Sequence, residues 1–224
     1  MPPLIPSILL PSILTLSIAS ATAYLFQVRQ PPSVPRATTK TLSTTLLSLV
    51  TYLRNSPAPL TTALALGSLG DAFLAFDSDA AFLRGLASFL VAHLFYMQLF
   101  AQQHGGVLAT LTVVSSDTTH TAAAGGLASL VAILLVVLLP RVARDLQLPV
   151  VVYSLTIFTM AVIATAVEVN REQVLTGALL FTASDAILAL DRFLVGPESP
   201  VRSAMQYSVW SLYYSGQLLI ALGF

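Results

Sequence analysis

The sequence predicts an all-α protein, a polytopic membrane bundle of about eight transmembrane helices. Composition is the first ground: of 224 residues, 56% are hydrophobic and 9% charged, with a mean hydropathy of +0.84, whereas a soluble domain carries roughly 25% charged residues. The second is that the apolar residues form runs of about 20, the length that crosses roughly 30 Å of hydrocarbon as a helix. The third is that the prolines punctuate these runs: Pro31, Pro32, Pro35, Pro57, Pro59, Pro140, Pro149, Pro197 and Pro200 are expected between spans, where a missing backbone donor is tolerated.

The spans follow in order, within a single integral membrane domain covering 1–224. The first, 4–28, carries Pro6 and Pro11 early and is expected to start late or to kink. It has no Lys or Arg ahead of it and outruns a signal-peptide core, so it reads as a retained helix. The second, 39–54, opens with TTKTLSTT and places Lys40 at its start; the third, 58–76, contains Gly70-Asp71; the fourth is 81–103. The stretch 104–120, HGGVLATLTVVSSDTTH, has an apolar core too short to span. It extends the fourth helix, re-enters, or lies at the interface. Spans at 121–139, 148–169, 173–191 and 203–222 complete the bundle.

Charge excludes some functions and orients the chain. Ten basic residues balance ten acidic ones with no basic stripe, so no nucleic-acid partner is expected. The absence of cysteine excludes disulfides, thiolate chemistry and Cys-based metal sites. His104, Asp117 and His120 bound a polar loop without regular ligand spacing; they are expected to be solvated, and no metal or cofactor is expected. Arg29, Arg36, Lys40, Arg84, Arg141, Arg144, Arg192 and Arg202 fall at the odd-to-even connections, against Arg54 and Arg171 on the opposite side. This bias predicts cytoplasmic odd-to-even connections and non-cytoplasmic termini. An endoplasmic reticulum or other endomembrane location is expected.

The chemistry concentrates in a repeated stretch. GDAFLAFD at 70–77 returns as SDAILALD at 184–191. The third and seventh spans run in the same direction, and Asp71 and Asp185 are expected five or six residues before the cytoplasmic ends of their helices, within roughly 10 Å of them. A duplicated four-helix unit would explain the match, as would chance similarity between two apolar helices. A central Asp costs about 2.5–3.5 kcal/mol to insert, so two in matching places should face the bundle interior or water. Asp77, Asp79 and Asp191 are expected as solvated interface residues. His93, Tyr96, Met97 and Phe100 recur at helical spacing below Gly85 and Phe89, and a partnership between His93 and Tyr96 is one reading of that face. Tyr213, Tyr214 and Gln217 lie about ten residues inside the last span. Tyr153 opens the sixth. Spacing alone reads Lys40 as a snorkelling anchor.

In this order the motifs resemble the lysoplasmalogenase family, the YhhN-like eight-helix membrane proteins. The carriers are Lys40 before a Thr-rich helix start, Gly70-Asp71 followed by FLAF, and GLASFLVAHLFYMQLF at 85–100. Tyr153, GALLFTASDAILAL at 177–190 and Tyr213-Tyr214-x-x-Gln217 complete the set. Lys40 is followed by Thr where the family tends to have Pro. The resemblance implies hydrolysis of the vinyl-ether bond of a lysoplasmalogen, a lysophospholipid met within the membrane, to a fatty aldehyde and a glycerophospho-alcohol. Asp71 and Asp185 would be the acid–base pair, with their roles unassigned, and His93 would orient or relay a proton. Tyr96, Tyr153, Tyr213, Tyr214 and Gln217 would line the substrate site, and Lys40 would hold the lipid phosphate. The rival readings are a proton-coupled transporter using the same acids, an intramembrane aspartyl protease, and a catalytically silent relative. Against the protease, GSLGD at 67–71 has its glycines at the wrong spacing.

Overall fold

Residues 8–76 and 78–224 are described by the computed structural model. Asp77 and the beginning of the first expected span, with Pro6, lie outside them. Among the described residues the chain forms nine α-helices and no β-strand. They are α1 (Leu9–Leu25), α2 (Val34–Leu53), α3 (Ala58–Phe73), α4 (Asp79–Ala101), α5 (Val107–Ser116), α6 (Thr118–Leu138), α7 (Arg144–Ala164), α8 (Arg171–Phe193) and α9 (Pro200–Gly223). Among the described residues four segments are long and apolar enough to cross a membrane: Asp79–His104, Thr118–Arg141, Arg144–Ala164 and Arg171–Phe193. The helices gather into two compact units, one up to Phe95 (with Phe224) and one over Tyr96–Gly223.

In the first unit, short hydroxyl side chains stitch apolar helices together. Ser17 and Ser20 of α1 donate to the carbonyls of Ser43 and Thr39 on α2, at 2.6 and 2.9 Å. On the opposite side of α2, Ser48 donates to the Thr61 carbonyl of α3 at 2.9 Å, and Ser68 of α3 donates to the Thr41 carbonyl at 3.1 Å. Such bonds hold membrane helices together where lipid removes the hydrophobic drive between them. Small side chains also allow close approach. A Cβ on Gly70 would sit 2.6 Å from the Phe89 ring of α4, so α3 and α4 pack at this distance only because residue 70 has none. Arg36 closes two chain ends: its Nη1 donates to the Ala75 carbonyl just past α3, and its Nη2 to the Val28 carbonyl past α1. A cation there complements the negative ends of both helix dipoles.

In the second unit the tightest packing joins α8 to α9. A Cβ on Gly177 would lie 2.8 Å from the Gly216 carbonyl oxygen, and one on Gly216 would lie 2.7 Å from that of Gly177. Asn170, at φ 38°, starts α8 and donates to the Gly223 carbonyl at the end of α9, at 2.8 Å. Asn tolerates that left-handed backbone better than most residues. Leu138, Val142, Leu146 and Val150 form a core with Leu190 and Phe193 of α8 packed against it. Val114 of α5 packs with Val162 and Ala166.

Several expectations change at the helix ends. The stretch 104–120 contains a helix of its own, α5, docked through Val114. His104 is partly buried and its Nε2 lies 2.9 Å from the Ala166 carbonyl, so it is a packing residue rather than a solvated one. Asp117 caps α6, accepting from the Thr119 and His120 amides at 2.8 and 3.0 Å. These bonds, that of His120 above all, hold its carboxyl below its ordinary value. Pro149 is not between spans but inside α7, five residues after the helix begins at Arg144. Pro35, Pro59 and Pro200 fall in first turns, where the amide they lack would be unpaired anyway. Asp191 is buried within α8, 3.5 Å from Arg202 Nε of α9, rather than solvated. Asp79 is exposed at the start of α4, as expected. Asp71 and Asp185 are not equally far from their helix ends. α3 stops at Phe73 and α8 runs to Phe193, about 3 Å and about 12 Å beyond them at 1.5 Å per residue. The α3 end is set by the Leu74 amide closing on Gly70 and by Arg36 capping Ala75.

Candidate functional site

The first acidic cluster belongs to the first unit. Asp71 lies in the last turn of α3 and is 1% exposed, a position that demands compensation for its charge. α2 supplies it. Thr44 donates to Asp71 Oδ2 at 2.8 Å, and Lys40 Nζ lies 3.6 Å from Asp71 Oδ1. Lys40 and Thr44 are one helical turn apart and so share a face. The Lys40 side chain is only 12% exposed, and its ammonium lies 5.9 Å from the ring centroid of Tyr24 on α1. Lys40 therefore turns inward to the acid and is not a snorkelling anchor. Arg36 flanks the same ring at 5.9 Å.

His93 is fully buried on α4. Its Nδ1 lies 2.6 Å from the Phe89 carbonyl one turn earlier. A carbonyl only accepts, so Nδ1 carries a proton and, in the neutral ring, Nε2 is the basic nitrogen. Phe89 thus has two tasks: its ring fills the space over Gly70, and its carbonyl fixes the His93 tautomer. The Gly-x-x-x-Phe-x-x-x-His spacing on α4 follows from these contacts, because Gly85 in turn makes room for Leu74, just past the end of α3.

The second acidic cluster belongs to the second unit. Asp185, half-buried on α8, accepts a 2.8 Å hydrogen bond at Oδ2 from the Tyr153 hydroxyl of α7. The neighbouring Ser184 donates to the Val209 carbonyl of α9 at 2.9 Å, which ties the segment bearing Asp185 to the last helix. Tyr96, Tyr213, Tyr214 and Gln217 gather in an aromatic nest of the same unit. The Tyr96 hydroxyl donates to Gln217 Oε1; it is therefore committed to Gln217 and not to His93. Phe181 meets Tyr96 edge-on at 6.1 Å and Tyr213 at 5.5 Å, and Trp210 lies 5.7 Å from Tyr213 and 6.1 Å from Tyr214. Gln217 is fully buried, and its Nε2 has no hydrogen-bond partner among the described residues. A buried donor left unmade costs about 1–3 kcal/mol, which a ligand oxygen would recover.

Each sequence-predicted site residue is thus found in a polar or aromatic cluster of its own unit. Thr44, Tyr24, Phe181 and Trp210 were not anticipated. Thr44 was within reach, one turn from Lys40 in TTKTLSTT. So was Phe181, one turn before Asp185 on α8; Tyr24 and Trp210 are supplied by spans that no local spacing links to the acids. Among the described residues no group of His, Asp and Glu is arranged to hold a metal ion.

An all-helical chain with long apolar spans and acids buried among them defines a polytopic membrane protein with a polar interior. The chain belongs to the YhhN family, whose model matches residues 35–224. It is similar to "Lysoplasmalogenase" of Mycobacterium bovis, 30% identical over 74% of this chain and 59% of that one. It is also similar to "Lysoplasmalogenase TMEM86B" of Homo sapiens, 33% identical over 71% and 60%, and to that of Sus scrofa, 34% identical over 79% and 70%. The chain spans about six tenths of the length of the first of these curated relatives. No solved structure matches it.

Proposed function

We propose that the protein is a membrane hydrolase that cleaves the vinyl-ether bond of a lysoplasmalogen, releasing a fatty aldehyde and a glycerophospho-alcohol. The observation that carries this reading is the pair of aspartates in repeated motifs, each held by a polar side chain from a neighbouring helix: Asp71 by Thr44 and Asp185 by Tyr153. Family membership and the names of the relatives support the substrate class.

The chemistry sets the requirement. A vinyl ether hydrolyses by protonation of the alkene carbon β to its ether oxygen, which leaves an oxocarbenium ion for water to attack. One neutral carboxyl must give the proton and one carboxylate must stabilise the cation or activate the water, a division that poorly solvated acids adopt readily. We assign these tasks to Asp71 and Asp185. His93, with its proton on Nδ1, relays or orients through Nε2. Gln217 Nε2 binds a glycerol or water oxygen, and Tyr96, Tyr213 and Tyr214 form the wall around it. The alkyl chain lies along the apolar side chains of the helices.

Wild-type protein purified in detergent and given an alkenyl lysophospholipid tests the activity. Stoichiometric fatty aldehyde and glycerophospho-alcohol are expected. A folded protein that forms neither product, but moves protons or lipid across vesicles, would instead establish the transporter reading.

A further inference from the structure

We propose that Asp191 and Arg202 are positioning residues, whose pair locks α8 onto α9 in the one register that turns Asp185 towards Tyr153. This rests on the hydrolase reading above and deepens it by naming what orients one of its acids. All of these residues belong to the second unit.

The register shows in four contacts. Asn170, just ahead of α8, donates to the Gly223 carbonyl at 2.8 Å. Gly177 and Gly216 meet backbone to backbone. Ser184 donates to the Val209 carbonyl at 2.9 Å, and Asp191 lies 3.5 Å from Arg202 Nε. Each step of seven residues forward along α8 is matched by seven residues back along α9. Seven residues make close to two helical turns, so these contacts form one seam along one face of each helix.

The rungs of the seam differ in what they specify. Asn170 and Ser184 bond to backbone carbonyls, which recur all along α9 and so discriminate little between registers. The glycines set how closely the helices approach. Asp191 is 7% exposed and needs an answer to its charge. A one-turn slip of α9 would bring Met205 or Gln206, or in the other direction Ser199 or Glu198, to the place of Arg202. None of these is a cation, and a buried charge without its partner is the costly outcome. Gln206, one turn along α9, already bonds the same carboxylate beside Arg202. A buried ion pair adds little net stability, and its best-attested use is to specify register.

The seam fixes how α8 is turned about its axis. Asp185 follows Ser184 by one residue, about 100° around the helix. On that second face Ala189 and Phe193 follow Asp185 at spacings of four, and both pack against the core that includes Leu146 and Val150 of α7. Tyr153 continues the same α7 face, seven residues after Leu146 and three after Val150. The bond from Tyr153 to Asp185 is thus the polar end of an otherwise apolar contact, and α8 turned by one residue would withdraw the acid from the hydroxyl. The matching motif of the first unit divides in the same way. Gly70 packs against Phe89 of the following helix, and Asp71 meets Thr44 and Lys40 of the preceding one.

The chain has no cysteine, so an introduced pair reads the orientation of α8 directly. Val150→Cys with Ala189→Cys should form a disulfide in the otherwise wild-type, full-length protein; failure to form it overturns the geometry. The decisive background is Asp191→Leu with Arg202→Leu, which removes the pair without stranding either charge. Its thermal midpoint should be unchanged, as replacement of a buried pair by apolar residues often is neutral. Its 150–189 disulfide should be lost, and without the cysteines its kcat should fall about 10²-fold, the cost of a misplacement of about 1 Å, at unchanged KM. The swapped pair, Asp191→Arg with Arg202→Asp, should restore both. A leucine variant that keeps the disulfide and kcat overturns the proposal, whatever its midpoint, because the pair is then merely structural. Should the leucine variant not fold, the swapped pair decides: a folded swap with the disulfide supports the lock, and a swap that lacks it or does not fold overturns it. The disulfide results as expected, with no aldehyde from wild type, sink the hydrolase reading and leave the register lock standing.

Discussion

At the scale of single residues, the acids are defined by what holds them. Tyr153 donates to Asp185 Oδ2 at 2.8 Å, so Tyr153→Phe, which removes only that hydroxyl, should slow aldehyde release about 10- to 100-fold, the rate equivalent of roughly 1–3 kcal/mol, in a protein that still folds. Steady-state rates beside a thermal melt check this, and an unchanged rate would remove Tyr153 from the account. The acids themselves were legible in the sequence, because an aspartate inside an apolar run is expensive enough to need a purpose. Their partners were legible only where helical spacing reveals them. Thr44 stands one turn from Lys40, whereas nothing along the chain announces that Lys40 will meet Tyr24 from α1. Spacing also favoured a solvated Lys40, and the reason it failed is simple. A snorkelling lysine and an inward one occupy the same helix position, and only the neighbouring helix decides between them.

At the scale of elements, α8 and α9 meet backbone to backbone at Gly177 and Gly216. Gly177→Ala sets a methyl 2.8 Å from a backbone oxygen that cannot swing away. The expected cost is about 1–3 kcal/mol, read as a lower thermal unfolding midpoint in detergent, and an unshifted midpoint would contradict the contact. The α6 cap gives a pH prediction. The Asp117 carboxyl is held below its ordinary 3.8 by the His120 and Thr119 amides. A depressed carboxylate contributes stability that is complete above the unfolded value and is lost as pH falls through the folded one. Asp117→Asn keeps a capping oxygen that does not titrate, so its melting temperature should fall less steeply than wild type below about pH 4. Identical acid limbs would show that the cap charge is irrelevant. Element boundaries were the least legible part of the fold. Pro149 was read as a break, yet a proline near a helix start forfeits one backbone bond and leaves the rest intact. α5 is too short to be recognised as a span, and its docking through Val114 depends on residues far along the chain.

At the scale of the whole molecule, composition alone sufficed for the helical membrane class, since no soluble architecture tolerates so few charges among so many apolar residues. The ordered motifs sufficed for the family, which the match over residues 35–224 establishes. The aromatic nest of Tyr96, Phe181, Trp210, Tyr213 and Tyr214 was not legible as a unit, because helices distant in sequence assemble it. The central claim is that two aspartates, Asp71 and Asp185, perform one hydrolysis. The most direct test compares fatty-aldehyde release from an alkenyl lysophospholipid by wild type, Asp71→Asn and Asp185→Asn, all purified and shown to be folded. The account predicts turnover by wild type and a loss of several orders of magnitude, about 10³-fold or more, in each variant. Turnover that survives either substitution would contradict it, because an acid–base pair cannot work with one member replaced by an amide.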